Sequence, residues 1–208
     1  MPDDSETRKG LIYGAAAYLL WGLFPLFWPL LEPAGTIEIL AHRMVWSLVV
    51  VVVMLRFSGG FGGVGAVLRN PRQRTYLTLA AVVITVNWGT YIWGVNTGHV
   101  VETSLGYFIN PLFTILLGVV VLGERLRVAQ WLAVAIGATA VAVIAIDYGR
   151  PPWIALTLAT SFGMYGFLKK HASVGASDSL AVETGTMFLP AVTALVVVAL
   201  HGDLAFGQ

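Results

Sequence analysis

Apolar residues run along this chain in seven long blocks separated by mostly short polar links. The blocks lie at roughly 10–31, 37–56, 75–97, 102–122, 128–146, 153–168 and 180–200. A helix that crosses a bilayer needs about 20 mostly apolar residues. The pattern therefore predicts seven membrane-spanning helices, with antiparallel neighbours wherever the link is short. The sixth is the weakest, being short and carrying Thr157, Thr160 and Ser161. The first resembles a leader in having Arg8 and Lys9 before it. Its apolar run exceeds the ~7–15 residues of a leader core, and no small-residue cleavage site follows it, so it is read as a retained helix.

The polar links set the orientation. The side holding the N-terminus carries ten basic residues: Arg8, Lys9, Arg56, Arg69, Arg72, Arg74, Arg125, Arg127, Lys169 and Lys170. The opposite side carries one, Arg150, and Arg43 lies within a span. Basic loops stay in the cytoplasm. The reading is a multi-pass protein of the plasma membrane with a cytoplasmic N-terminus. The Gly-rich link from Phe57 to Arg74 is expected to be a flexible cytoplasmic connector touching anionic headgroups.

Composition agrees and excludes other classes. Of 208 residues, 57% are hydrophobic and only 11% charged, with mean hydropathy +0.80. Soluble domains carry roughly 25% charged residues, so this chain needs lipid as solvent. Cysteine is absent, the four His lack zinc spacing, and net charge is +1. Thiol chemistry, a metal site, a cofactor and nucleic-acid binding are not expected. An enzyme is not expected either: no second intramembrane Asp pairs with Asp147 or Asp178, no Gly-x-Ser-x-Gly elbow is present, and His42 has no evident Ser partner.

A weak internal repeat is visible. Leu19-Leu20-Trp21-Gly22 resembles Ser161-Phe162-Gly163, and Leu40-Ala41-His42-Arg43 resembles Leu180-Ala181-Val182-Glu183. The separations agree, 22 from Trp21 to Arg43 and 21 from Phe162 to Glu183. A five-span unit would thus begin again at the sixth span, dividing the chain into 1–149 and 150–208. Five is odd, so the second unit enters the membrane inverted, as in transporters with a midplane site between halves. The second unit holds two spans, so the chain is expected to be a fragment or truncated product.

Three segments carry a family resemblance: Ala17-Tyr18-Leu19-Leu20-Trp21-Gly22, Glu38-Ile39-Leu40-Ala41-His42-Arg43-Met44-Val45-Trp46-Ser47, and Glu102-Thr103-Ser104-Leu105-Gly106-Tyr107-Phe108-Ile109-Asn110-Pro111-Leu112. With Gly123-Glu124-Arg125, they resemble RarD-type members of the EamA branch of the drug/metabolite transporter superfamily. The resemblance implies an all-α transmembrane fold of two inverted five-helix repeats, with seven of about ten helices present here. It implies a secondary carrier for a small metabolite or drug-like solute. Alternating access is the expected mechanism, with export the favoured direction. The alternatives are a channel, or a non-transporting membrane component that is inactive without the missing helices. Expected partners are the lipid bilayer, a small-molecule solute and a second copy in a homodimer.

Candidate site residues follow from polarity inside the spans. Arg43 lies about 9 Å below the outer edge at 1.5 Å per residue, where an unpaired charge is costly. It is read as binding an anionic solute group or guarding the outer side, with Glu102 as its expected ion-pair partner, the alternative being a structural arginine satisfied by helix ends or headgroups. A direct pair with Glu183 is not expected, because the two enter from opposite faces. Glu183 is read as an interfacial charge or a proton-coupling carboxylate. Tyr107, Asn110, Pro111, Thr114 and Gly118 share one face of span four, and Asn87 and Tyr91 share a face of span three beside Trp88. The span-four face is read as a cavity lining or, equally, a helix seam; Trp88 is read as a stacking surface for a planar solute or, more commonly, as packing. Pro25, Pro29 and Pro111 are expected helix kinks, and Gly10, Gly14 and Gly22 are expected points of close helix approach.

Overall fold

The computed structural model describes residues 4–147 and 149–206, and every regular element among them is helical. α1 spans Asp4–Phe27 and passes into a 3-10 turn at Trp28–Leu31. Then follow α2 (Thr36–Ser58), a short α3 (Gly62–Arg69), α4 (Pro71–Asn96) and α5 (Val100–Leu122). α6 (Val128–Asp147), α7 (Trp153–Ala172) and α8 (Ala176–His201) complete the order. The starts of α2, α5 and α7 lie at one end of the bundle, termed upper, and the starts of α4, α6 and α8 at the lower end. An apolar cluster closes each end: Trp28, Ile39, Ile92 and Ile154 above, and Val67, Leu77, Ala172 and Val182 below.

Among the described residues, six helices are long and apolar enough to cross a membrane: α1 with its 3-10 turn, α2, α4, α5, α6 and α8. The chain is a multi-pass membrane protein. The sixth expected span forms a 20-residue helix, α7, but falls short in apolarity. The reason is its position. α7 lies against α4 and α5, with Ile154, Ala155 and Ala159 fully buried. The face of α7 that packs on α4 and α5 can carry Ser161 out of reach of lipid, while the exposed Thr160 turns its hydroxyl back onto the Leu156 carbonyl of its own helix.

The link expected to be a flexible connector is largely ordered. α3 occupies it, and Val67 inserts between α4, α7 and α8. The chain reverses after α2 through Gly59 and Gly60, both at positive φ (129° and 89°), where residues with a side chain are strained. A Cβ on Gly63 would collide with the Asp178 carboxylate, so α3 and the start of α8 are fitted to each other. α4 then starts four residues before the apolar pattern does. Pro71 occupies its first turn, and Asn70 Oδ1 accepts from the amides of Arg72 and Gln73 at 3.1 and 3.3 Å.

In lipid, exposed apolar side chains cost nothing, and helices associate through close packing. The glycines expected to serve this purpose, Gly10, Gly14 and Gly22, meet nothing within 4 Å. The close approaches are elsewhere. A Cβ on Gly106 of α5 would stand 2.9 Å from Leu158 Cβ and 3.2 Å from the Ala155 carbonyl of α7, and Gly163 of α7 lies under Phe113. Pro25 and Pro29 flank the change from α- to 3-10 geometry, whereas α5 continues through Pro111.

Two fully buried carboxylates tie the upper end together. Glu38, in the first turn of α2, accepts from the backbone amides of Ala205 and Phe206 at 2.9–3.1 Å. Glu102, in the first turn of α5, accepts from the Ile154 amide and from Arg150 Nη2, both at 3.0 Å. A carboxylate in a helix's first turn also faces the positive end of the helix dipole.

Candidate solute pathway

Arg43 projects from the second turn of α2 onto α4. Its guanidinium carbon lies 3.4 Å from the Trp88 ring centre, with Trp28 and Phe24 at 5.7 and 6.0 Å. A guanidinium over an indole face is attracted by the ring quadrupole, by up to about 2 kcal/mol where water is excluded. The expected contact with Glu102 does not form. Glu102 turns instead toward the 149–152 link and the start of α7, where Arg150 and the Ile154 amide occupy its oxygens. Among the described residues Arg43 has no carboxylate partner.

Beside this cation lies a cavity of about 180 Å³, walled by Trp21, Phe24, Trp88, Tyr91, Tyr107 and Phe162 and floored by Asn87 and Tyr165. Asn87 commits its amide nitrogen to α7, donating to the Leu158 carbonyl at 3.0 Å and to Ser161 Oγ at 2.8 Å. That pairing fixes α4 to α7 and pins one wall of the cavity. Tyr91 and Tyr107 meet edge to face at 6.2 Å.

Below the cavity, a small pocket of about 10 Å³ between Asn87, Tyr107, Asn110 and Phe162 lies next to an open groove of about 350 Å³. The groove runs between α5 and α7 past Thr114 to Glu124 and Lys170. Thr114 donates to Asn110 Oδ1 at 3.0 Å, so the two polar groups on this face are paired to each other. Above, Arg43 also lines a pocket of about 260 Å³ with Trp28, His42 and Phe206. Neighbouring spaces share residues throughout: Arg43 and Phe24 join the upper two, and Phe162 joins the lower three.

A buried polar cluster adjoins the cavity floor. Tyr165, which faces the cavity, donates to Glu183 Oε2 at 3.0 Å, and Lys169 Nζ lies 2.6 Å from Glu183 Oε1. Lys169 also donates to Ser179. Glu183 is nearly fully buried, seven residues into α8. Removing one partner of a buried ion pair costs about 3–5 kcal/mol, because the other charge remains behind.

The EamA-like transporter family matches residues 8–146. The chain belongs to that family. This EamA-family chain is 56% identical over 206 residues to protein RarD of Streptomyces exfoliatus, covering 99% of this chain and 65% of that protein. It is 41% identical to an uncharacterized transporter of Vibrio cholerae, over 91% of this chain and 63% of the relative. Protein RarD of Escherichia coli is 40% identical over 88% of this chain and 62% of its own length. The chain thus spans a little under two thirds of the length of these relatives and is of their RarD type. No solved structure matches it.

The structure gathers Arg43, Asn87, Trp88, Tyr91 and Tyr107 around one cavity and places Asn110 and Thr114 on the groove below it. Sequence reading missed Trp28, Tyr165 and Lys169 as neighbours of this site. Trp21 and Phe162 were visible only as a repeat pair, and they meet edge to face at 6.3 Å. That correspondence was the available signal that the two segments face each other.

Proposed function

We propose that this EamA-family chain is part of a membrane carrier for a small organic anion, which binds in the aromatic cavity with its acid group on Arg43. The observation that carries this reading is a guanidinium that no carboxylate of the described residues pairs, held against Trp88 beside an aromatic-walled cavity. Stacking leaves the edge N–H donors of a guanidinium free, and that edge matches an oxyanion. Flat apolar walls with a few polar groups suit a small planar solute.

The transport mechanism in this reading is alternating access. α1 to α6 rock against the unit that begins at α7, and the small pocket at Asn110 and Phe162 widens when the lower end opens. Pro25, Pro29 and Pro111 supply the bends. The basic lower end faces the cytoplasm of a plasma membrane, by the asymmetry of Lys and Arg. The relatives' naming as transporters supports carriage, and this reading takes its direction as export, from the lower groove to the upper end. Glu183, one hydrogen bond from the cavity through Tyr165, is the candidate proton-coupling group.

The test is flux of 4-fluorobenzenesulfonate, a permanently charged aromatic anion, across proteoliposomes containing the chain. Saturable flux that Arg43→Gln abolishes supports the carrier. Linear flux indicates a channel. Absence of flux together with absence of probe binding overturns the reading.

A further inference from the structure

Chemistry fixes which way round the Asn87 amide sits. Its nitrogen lies 3.0 Å from the Leu158 carbonyl and 2.8 Å from Ser161 Oγ. A carbonyl can only accept, so the nitrogen and not the oxygen must stand there. Ser161 spends its own proton on the carbonyls of Thr157 and Leu158, and so accepts from Asn87 as well. Both amide protons are committed to α7, and the amide oxygen is the half left over.

That oxygen, Asn87 Oδ1, accepts no hydrogen bond from any described residue. It is not sealed in. The enclosed side-chain polar atoms without a partner, among the described residues, are Trp28 Nε1, His42 Nε2 and Asn96 Oδ1. Asn87 Oδ1 is not one of them, so it keeps accessible surface, although the residue as a whole is only 8% exposed. The spaces that Asn87 lines are the central cavity and the small pocket below it. An acceptor this deep in a folded protein is nearly always paired, so the site wants a donor.

The other polar groups of the cavity agree. Arg43 can only donate. Tyr165 gives its hydroxyl proton to Glu183, so it too offers the cavity only oxygen lone pairs. A solute that suits both kinds of group carries an acid for the guanidinium and an N–H or O–H for the amide oxygen.

We infer that Asn87 selects the solute. Its oxygen accepts a hydrogen bond from a ring hydroxyl or ring amine of the same aromatic anion whose acid group sits on Arg43. The inference rests on the anion reading given above and narrows it, from any small aromatic anion to one that carries a donor. A site built around such a hydrogen bond rejects analogues that lack the donor, because they leave its buried acceptor unpaired.

The experiment is competition binding to the chain in lipid nanodiscs, read by fluorine NMR of 4-fluorobenzenesulfonate. The competitors are benzenesulfonate, 3- and 4-hydroxybenzenesulfonate, and the methyl ethers of those two phenols. One hydroxy isomer should bind about tenfold more tightly than benzenesulfonate. Its methyl ether keeps the oxygen, loses the proton and should show no gain. Asn87→Ser is too short to present its oxygen at the same place and should cut the advantage below twofold. The comparison of phenol with ether in the unsubstituted chain needs no variant, so the result does not depend on Asn87→Ser assembling. Probe binding with no advantage for either hydroxy isomer overturns the role of Asn87 and leaves the anion reading standing. An advantage lost in Tyr165→Phe but kept in Asn87→Ser also overturns it. No probe binding to the unsubstituted chain overturns both.

Discussion

The Arg43 guanidinium stacks on Trp88 at 3.4 Å from its ring centre, and no carboxylate of the described residues shares it. A charge inside a membrane is usually neutralised by a partner carboxylate or by water. Here an indole face lowers the cost of burial without cancelling the charge, so the cation stays available to an anion from outside. The pair also joins α2 to α4 beside both the central cavity and the upper pocket.

Arg43→Lys should separate charge from shape. Lysine keeps the positive charge but loses the planar stack and the forked donors. Affinity for 4-fluorobenzenesulfonate should fall about tenfold, equivalent to roughly 1.4 kcal/mol. Thermal unfolding should stay close to that of the parent chain. Unchanged affinity would assign the arginine a purely structural role.

Glu102 should couple to Arg150 and not to Arg43. Glu102→Gln should destabilise the chain by about 1–3 kcal/mol, since the carboxylate is fully buried and the amide can still accept from Ile154. A double-mutant cycle with Arg150→Gln should show coupling above ~0.5 kcal/mol, the scatter of independent sites. The same cycle with Arg43→Gln should show none. Half of the Arg150 side chain faces outward, which holds its coupling to the lower end of the range for ion pairs.

Lys169 and Glu183 should tolerate joint replacement better than single replacement. Lys169→Met strands a buried carboxylate and should cost about 3–5 kcal/mol, whereas Lys169→Met with Glu183→Met should cost much less. Glu183→Gln should also flatten the pH dependence of flux if this carboxylate couples protons. Flux with an unaltered pH profile in that variant would remove Glu183 from coupling.

Gly106→Ala and Gly22→Ala should differ sharply. The first forces a methyl group into the α5–α7 seam, 2.9 Å from Leu158 Cβ, and should cost about 1–3 kcal/mol by overpacking. The second adds a methyl where nothing lies within 4 Å, and should stay within about 0.5 kcal/mol of the parent. Unfolding titrations in one detergent would compare them directly.

The family and most of the helix order were legible along the chain, and so were the residues worth watching. Arg43, Glu102 and Glu183 stand out because charge is rare in apolar runs. Their partners did not stand out. Glu102 binds Arg150 and Ile154, 48 and 52 positions away, on elements whose rotation no local pattern records. The ordered α3 was hidden too, because its glycines read as flexibility until the Asp178 carboxylate is seen lying over Gly63.

The sequence by itself determined how many apolar segments there are, where they begin and which side their basic links share. A bilayer about 30 Å thick reads hydropathy and length in one dimension. Tertiary structure alone decided that α7 is shielded by α4 and α5, that Trp88 and not Glu102 receives Arg43, and that Lys169 meets Glu183. Those outcomes depend on which helix faces touch, and faces are chosen by close packing between segments far apart in the chain.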